Sequence, residues 1–136
     1  MNEQHLEAFR SSVNRCVADA AFLDDFYDRF MASSDEVRAK FAATDMAAQK
    51  RVLADSLYLL AVAVQGQSTS PSWKQMGRIA ERHNRSGMDI RPELYDLWLD
   101  CLMKAVAGHD PQYSPEIDVA WRSVLSEGIT FLRSRY

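Results

Sequence analysis

A chain of 136 residues is the length of one domain and can bury roughly two-thirds of its unfolded surface, so its core needs no disulfide or metal staple. Apolar residues make up 47% and charged residues 26%; the net charge of −3 is spread along the chain and offers no nucleic-acid surface. The longest apolar run, residues 57–64, is far short of the ~20 residues that span a bilayer, and the polar start MNEQHLEAF has no leader pattern, which predicts a cytoplasmic protein with no membrane span.

The pattern is all-α. No segment alternates apolar and polar residues, and helix formers dominate. A first helix is expected over residues 3–18, with Leu6, Phe9, Val13, Cys16 and Val17 inward. Asp19 can cap a second over residues 20–32, where Phe22, Phe26 and Phe30 fall four apart beside Leu23 and Tyr27. Ser33-Ser34-Asp35 breaks that helix and caps a short third one ending near Phe41. Asp45 can cap a long helix through Gln65 with an inner stripe of Met46, Gln49, Leu53, Leu57, Leu60 and Val64. GQSTSPS is a turn-rich linker, and Ser70-Pro71 starts the next helix. A helix over residues 92–107 presents Leu94, Leu97, Trp98, Cys101, Leu102 and Ala105. After the loop GHDPQYSP, Ser114-Pro115-Glu116 starts a last helix using Ile117, Trp121, Val124, Leu125, Gly128, Phe131 and Leu132. That makes about seven to eight helices of unequal length in one domain, residues 1–136. Cys16 and Cys101 fit no zinc or redox spacing and read as small apolar helix residues, and His5 and His109 read as exposed.

The stretch WKQMGRIAERHNRSGMDIRPELY, residues 73–95, organises the chain. Met76, Ile79, Ala80 and His83 share one helix face, and the helix is expected to end near Arg85, with Gly87 supplying a left-handed cap. One imidazole thus sits on an apolar face at a helix end. It is either a core histidine bonded to a carbonyl, or a ligand that donates from one ring nitrogen and offers the other to a metal.

FYDRFMASSDEVRAKF, residues 26–41, resembles the second and third helices of bacterial globins related to the haem domain of flavohaemoglobins. DIRPELYDLW, residues 89–98, resembles the start of their seventh helix, and Trp121 fits their last. The resemblance covers nearly the whole chain. It implies the three-over-three globin fold and a haem b, iron protoporphyrin IX, with His83 as the proximal iron ligand. It places Phe41 on the porphyrin, Tyr27 and Gln49 as distal hydrogen-bond donors, and Leu53 as their apolar neighbour. Met88, Ile90 and Tyr95 would lie near the haem, with Lys50, Arg82 and Arg85 as candidate propionate partners. An ungapped alignment would instead turn Arg51 and Asp55 to the haem; a carboxylate against an apolar macrocycle is costly, which favours a shortened loop and the Gln49 and Leu53 register.

The resemblance implies a globin that reversibly binds O2, NO and CO, for oxygen transport or nitric oxide removal. Two hydrogen bonds to polarised O2, each contributing on the order of 1 kcal/mol, predict slow release. The glutamate that pairs with the proximal histidine in flavohaemoglobins has no counterpart, because Glu127 comes too early after Trp121. Any nitric oxide dioxygenase activity would also need an external reductase, since no flavin or nicotinamide fingerprint occurs. The alternative is a haem-based gas sensor acting through a partner or dimer interface on residues 92–135. A third reading, a colourless helical interaction module with His83 in its core, needs no haem. Monomer and homodimer are both open.

Overall fold

The computed structural model describes residues 2–67 and 69–136; Met1, and Ser68 inside the expected linker, lie outside the described residues. The described chain forms seven helices and no strand: α1 (Glu3–Ala18), α2 (Ala21–Ser33), α3 (Asp35–Lys40), α4 (Met46–Ala63), α5 (Pro71–His83), α6 (Glu93–His109) and α7 (Pro115–Ser134). Five expected starts are capped as their residues dictate or nearly so. Ser34, Asp45, Ser70 and Ser114 each accept an N–H of the following first turn. Asp19 takes the Ala21 N–H at 2.9 Å, although Ala20 rather than Asp19 occupies the cap position of α2. No helix among the described residues is long and apolar enough to cross a membrane.

Contacts sort the long helices into two layers, α1, α4 and α5 over α2, α6 and α7. The closest pairings are α1 with α7 and α2 with α6, and α7 also packs on α4 and α5. Between α4 and α7 the approach is tight at Gly128, where a Cβ would lie 3.1 Å from the Leu60 side chain. The apolar stripes meet in one core, with Phe9 edge-on to Trp121 at 4.9 Å between ring centroids. The short α3 rests on α2.

One buried polar chain fastens the two layers. Trp121 Nε1 donates to Ser12 Oγ at 2.7 Å, and the Ser12 hydroxyl donates to Asp110 Oδ2 at 2.6 Å. Arg15 donates twice to the same carboxylate, at 2.7 and 3.0 Å. Burial pushes the Asp110 carboxyl up, but Arg15, Ser12 and the Gln112 N–H together outweigh it and hold it below the usual range. The structure also corrects the reading of His109, which is not an exposed side chain. It is half-buried between Asp19 and Asp25, at 2.6 and 3.0 Å from its two ring nitrogens. The bond to Asp19 leads in raising its pKa above the ordinary 6.5, with burial opposing and Asp25 adding to the rise.

Replacing Asp110 by Ala leaves Arg15 and Ser12 without their acceptor, so we expect a loss of about 2–3 kcal/mol in urea unfolding. His109 binds its proton more tightly in the native state than in the unfolded one. Its contribution is therefore complete below pH 6.5 and lost as pH rises through its raised value. The stability difference between wild type and His109→Asn, followed by thermal unfolding, should shrink across that window; a constant difference would contradict the assignment.

Candidate functional site

Tyr27 and Gln49, expected as distal donors, come together at the start of α4. Tyr27 is buried on α2, and Gln49, half-buried in the first turn of α4, donates from Nε2 to the Tyr27 hydroxyl oxygen at 3.1 Å. With its oxygen accepting from Gln49, the phenol keeps its own O–H free to donate elsewhere. Burial pushes the Tyr27 pKa up to about 12, against a lowering by the Gln49 bond, so the proton stays on at neutral pH. One turn on, Leu53 is buried, whereas Arg51 and Asp55 are exposed. Phe41, just past α3, stands edge-on to Tyr27 and Phe30 with centroids 5.6 and 6.1 Å away.

His83 is the last residue of α5 and shares a face with the buried Met76 and Ala80. Its Nδ1 lies 2.7 Å from the Ile79 carbonyl oxygen. A carbonyl can only accept, so Nδ1 carries the proton and the neutral ring presents the lone pair of Nε2. Burial lowers the imidazole pKa, the Ile79 bond opposes it and Arg82 adds to the lowering; the ring is held neutral. Among the described residues Nε2 makes no hydrogen bond.

Beyond His83 the left-handed position is not where the glycine suggested. Gly87 has no positive φ; it is required because a Cβ would lie 2.5 Å from the Arg82 carbonyl oxygen. The positive φ, 50°, belongs to Asp89. The loop winds back onto α5, with the Met88 N–H on the Arg82 carbonyl at 2.8 Å and the Ile90 N–H on the His83 carbonyl at 2.9 Å. Ile90 is half-buried against the core, while the Met88 side chain is exposed. Tyr95 is buried, and burial pushes its pKa up to about 12. Of the three cations considered for the propionates, Lys50 pairs with Asp24 at 2.5 Å and Arg85 lies over the Tyr136 ring at 4.8 Å. Arg82 is exposed.

Sequence reading missed the ties around this loop. Lys40 Nζ donates to the Met88 carbonyl at 2.9 Å, and Arg91 forms a forked pair with Glu36 of α3. Tyr136 reaches Asp89 and Arg85. These partners are 47 to 55 residues apart, and no periodicity links them. The charged pair RPE in the loop was the one local hint.

The two groups of side chains come from different helices of both layers: Tyr27 from α2, Gln49 and Leu53 from α4, His83 from α5. Neither α4 nor α5 packs substantially on α2 or α6, and Gln49 of α4 reaches Tyr27 of α2 through its side chain. A neutral imidazole with an unused Nε2, together with a protonated phenol and an amide, is a donor set that fits a haem and a small ligand. A two-layer helical sandwich carrying such an imidazole is the architecture of a globin. A solved structure similar to this chain is that of a Pseudomonas aeruginosa PAO1 protein, described as structurally highly homologous to a human hemoglobin. It is 44% identical, over 97% of this chain and 98% of that one, with a TM-score of 0.90. No protein-family model matches the chain, and no curated protein matches it. The chain belongs to the family of that Pseudomonas protein, a family of bacterial globin-like proteins, and its fold is the globin fold.

In the protein without any added cofactor, nitrogen NMR of labelled histidine should find His83 as the Nδ1–H tautomer, titrating below the ordinary 6.5. An Nε2–H tautomer would contradict the bond to Ile79.

Proposed function

We propose that the chain is a haem-binding globin that reversibly binds O2, and other diatomic gases such as NO and CO, at a haem b with His83 as proximal ligand. The observation that carries this reading is the His83 ring: neutral, oriented by Ile79, with Nε2 left to bind iron. Haem, when bound, would supply the iron at which the gas is held. The protein's own part is to orient that imidazole and to place two donors on the opposite side. Gln49 donates to the Tyr27 oxygen and so aims the Tyr27 O–H away from itself, toward any ligand in the distal space. Leu53 and Phe41 give that space apolar walls, which strengthens the hydrogen bonds by lowering the local dielectric. The runs at residues 26–41 and 89–98 further support kinship with the haem domains of flavohaemoglobins.

The acceptor on Nδ1 also favours one use of the site over another. A carboxylate there would make the imidazole strongly electron-donating and favour O–O cleavage; a backbone carbonyl is a weaker acceptor. Reversible gas binding fits that proximal side better than peroxidase-like chemistry or fast NO dioxygenation, and the latter would need an external reductase.

The test is an ultraviolet–visible spectrum of the protein oxidised, reduced and reduced under CO, beside His83→Ala. A Soret band that shifts in each state and is lost or greatly altered in the variant is expected; no Soret band after haem addition would overturn the reading. In the haem-loaded protein, Tyr27→Phe should then speed O2 release by roughly fivefold or more, the loss of about 1 kcal/mol per hydrogen bond, and Gln49→Leu should do so as well.

A further inference from the structure

The loop between His83 and α6 is fastened from outside by Tyr136, beyond α7. The Tyr136 carbonyl accepts the Arg85 N–H at 3.2 Å, and the Arg85 guanidinium lies 4.8 Å above the Tyr136 ring. The Tyr136 hydroxyl donates to the Asp89 carboxylate. So one residue holds, through its carbonyl and ring, the residue two places beyond His83 and, through its hydroxyl, the residue six places beyond it.

The second of those, Asp89, is the strained one. Among the described residues it is the one non-glycine with positive φ, a conformation that aspartate tolerates but does not prefer. The next residue, Ile90, returns its N–H to the His83 carbonyl at 2.9 Å, and Met88 returns its N–H to Arg82. The backbone of His83 is therefore bonded to the loop directly, and the loop to Tyr136 through Asp89 and Arg85. Asn84 completes the winding, its side chain accepting the N–H groups of Ser86 and Gly87. The His83 ring is in turn tied to its own helix through Ile79. A displacement of the loop must move the His83 carbonyl, and with it the peptide plane from which the imidazole projects.

We propose that Tyr136 is a positioning residue for His83: it holds Asp89 and Arg85, so that the loop fixes the height and rotation of the imidazole at the end of α5. The proposal rests on His83 being the haem ligand for its functional meaning, but the geometry it asserts belongs to the protein alone. It also links the end of α7 to the candidate proximal ligand, which no contact within α5 does.

The experiment compares wild type with Tyr136→Phe, which keeps the ring beneath Arg85 but loses the donor, Tyr136→Ala, which loses both, and Asp89→Asn, which keeps an acceptor and tolerates positive φ. Two readouts are taken. In the haem-free protein, the nitrogen and ring-proton resonances of His83 should shift in the order Asp89→Asn, Tyr136→Phe, Tyr136→Ala. In the haem-loaded protein, resonance Raman of the ferrous form should show the iron–histidine stretching band shift in the same order, with O2 or CO release altered roughly twofold or more in Tyr136→Ala. Thermal unfolding of each variant is recorded alongside. Variants that unfold earlier but leave the His83 resonances and the iron–histidine band unmoved would overturn the proposal, because Tyr136 would then be a stabilising residue only. Wild type that takes up no haem would remove the haem reading, while the His83 resonances would still decide whether Tyr136 positions the ring.

Discussion

One hydrogen bond decides what the candidate site can do: His83 Nδ1–H to the Ile79 carbonyl at 2.7 Å. The acceptor has no proton to give, so the tautomer follows, and the free lone pair on Nε2 follows from the tautomer. The same carbonyl stands four residues before His83, where an α-helix also takes the backbone N–H of residue 83; its two lone pairs serve ring and helix together. The orientation of the imidazole is thereby referred to the last turn of α5. The ring is only as well placed as the last turn of that helix.

That last turn depends on the layers on either side. α5 rests on α4 and α7, and α7 is held against α1 by Phe9 and Trp121 and by the chain from Trp121 through Ser12 to Asp110. Asp110 is fully buried and would be costly there without Arg15, so the network is satisfied as a unit or not at all. On the other side, α2 presents Tyr27 through its packing on α6. Tyr27 and His83 are thus set by helices of different layers, while Gln49 and Leu53 share the layer of His83, and the distance between the two groups is a property of the whole fold.

The helices were legible because their signals are local. Apolar spacing marks the six longer helices and the Ser33-Ser34-Asp35 break marks the short α3, with Ser34, Asp45, Ser70 and Ser114 at their starts within one residue. The stripe on α4 put Gln49 and Leu53 on one face, and the structure turns both inward while leaving Arg51 and Asp55 out. What could not be read were pairings set by the tertiary fold. Ser12 lies on the apolar face of α1 between Phe9 and Cys16, an arrangement that asks for a buried partner without naming it. His109 looked like a loop-side residue until α1 and α2 brought Asp19 and Asp25 to it. Glycine after a helix usually serves as a left-handed cap, whereas close approach to the Arg82 carbonyl is what Gly87 satisfies here.

The loop after His83 is held by a balance of small terms. Asp89 in its positive-φ conformation costs on the order of 1 kcal/mol. An exposed ion pair such as Arg91 with Glu36 returns at most about 1 kcal/mol, even with its forked geometry, and a neutral hydrogen bond about the same. No single tie exceeds the strain by much. The loop therefore needs fasteners on both flanks: Lys40 and Glu36 from α3 on one, Tyr136 from beyond α7 on the other. The flank on α3 also carries Phe41, which touches Tyr27, so the Tyr27 phenol and the loop after His83 share a support. A loop held so narrowly adjusts to the loss of one fastener more readily than a packed helix does. The residues most able to alter His83 without touching it are accordingly those at the loop's edges, not those of the core.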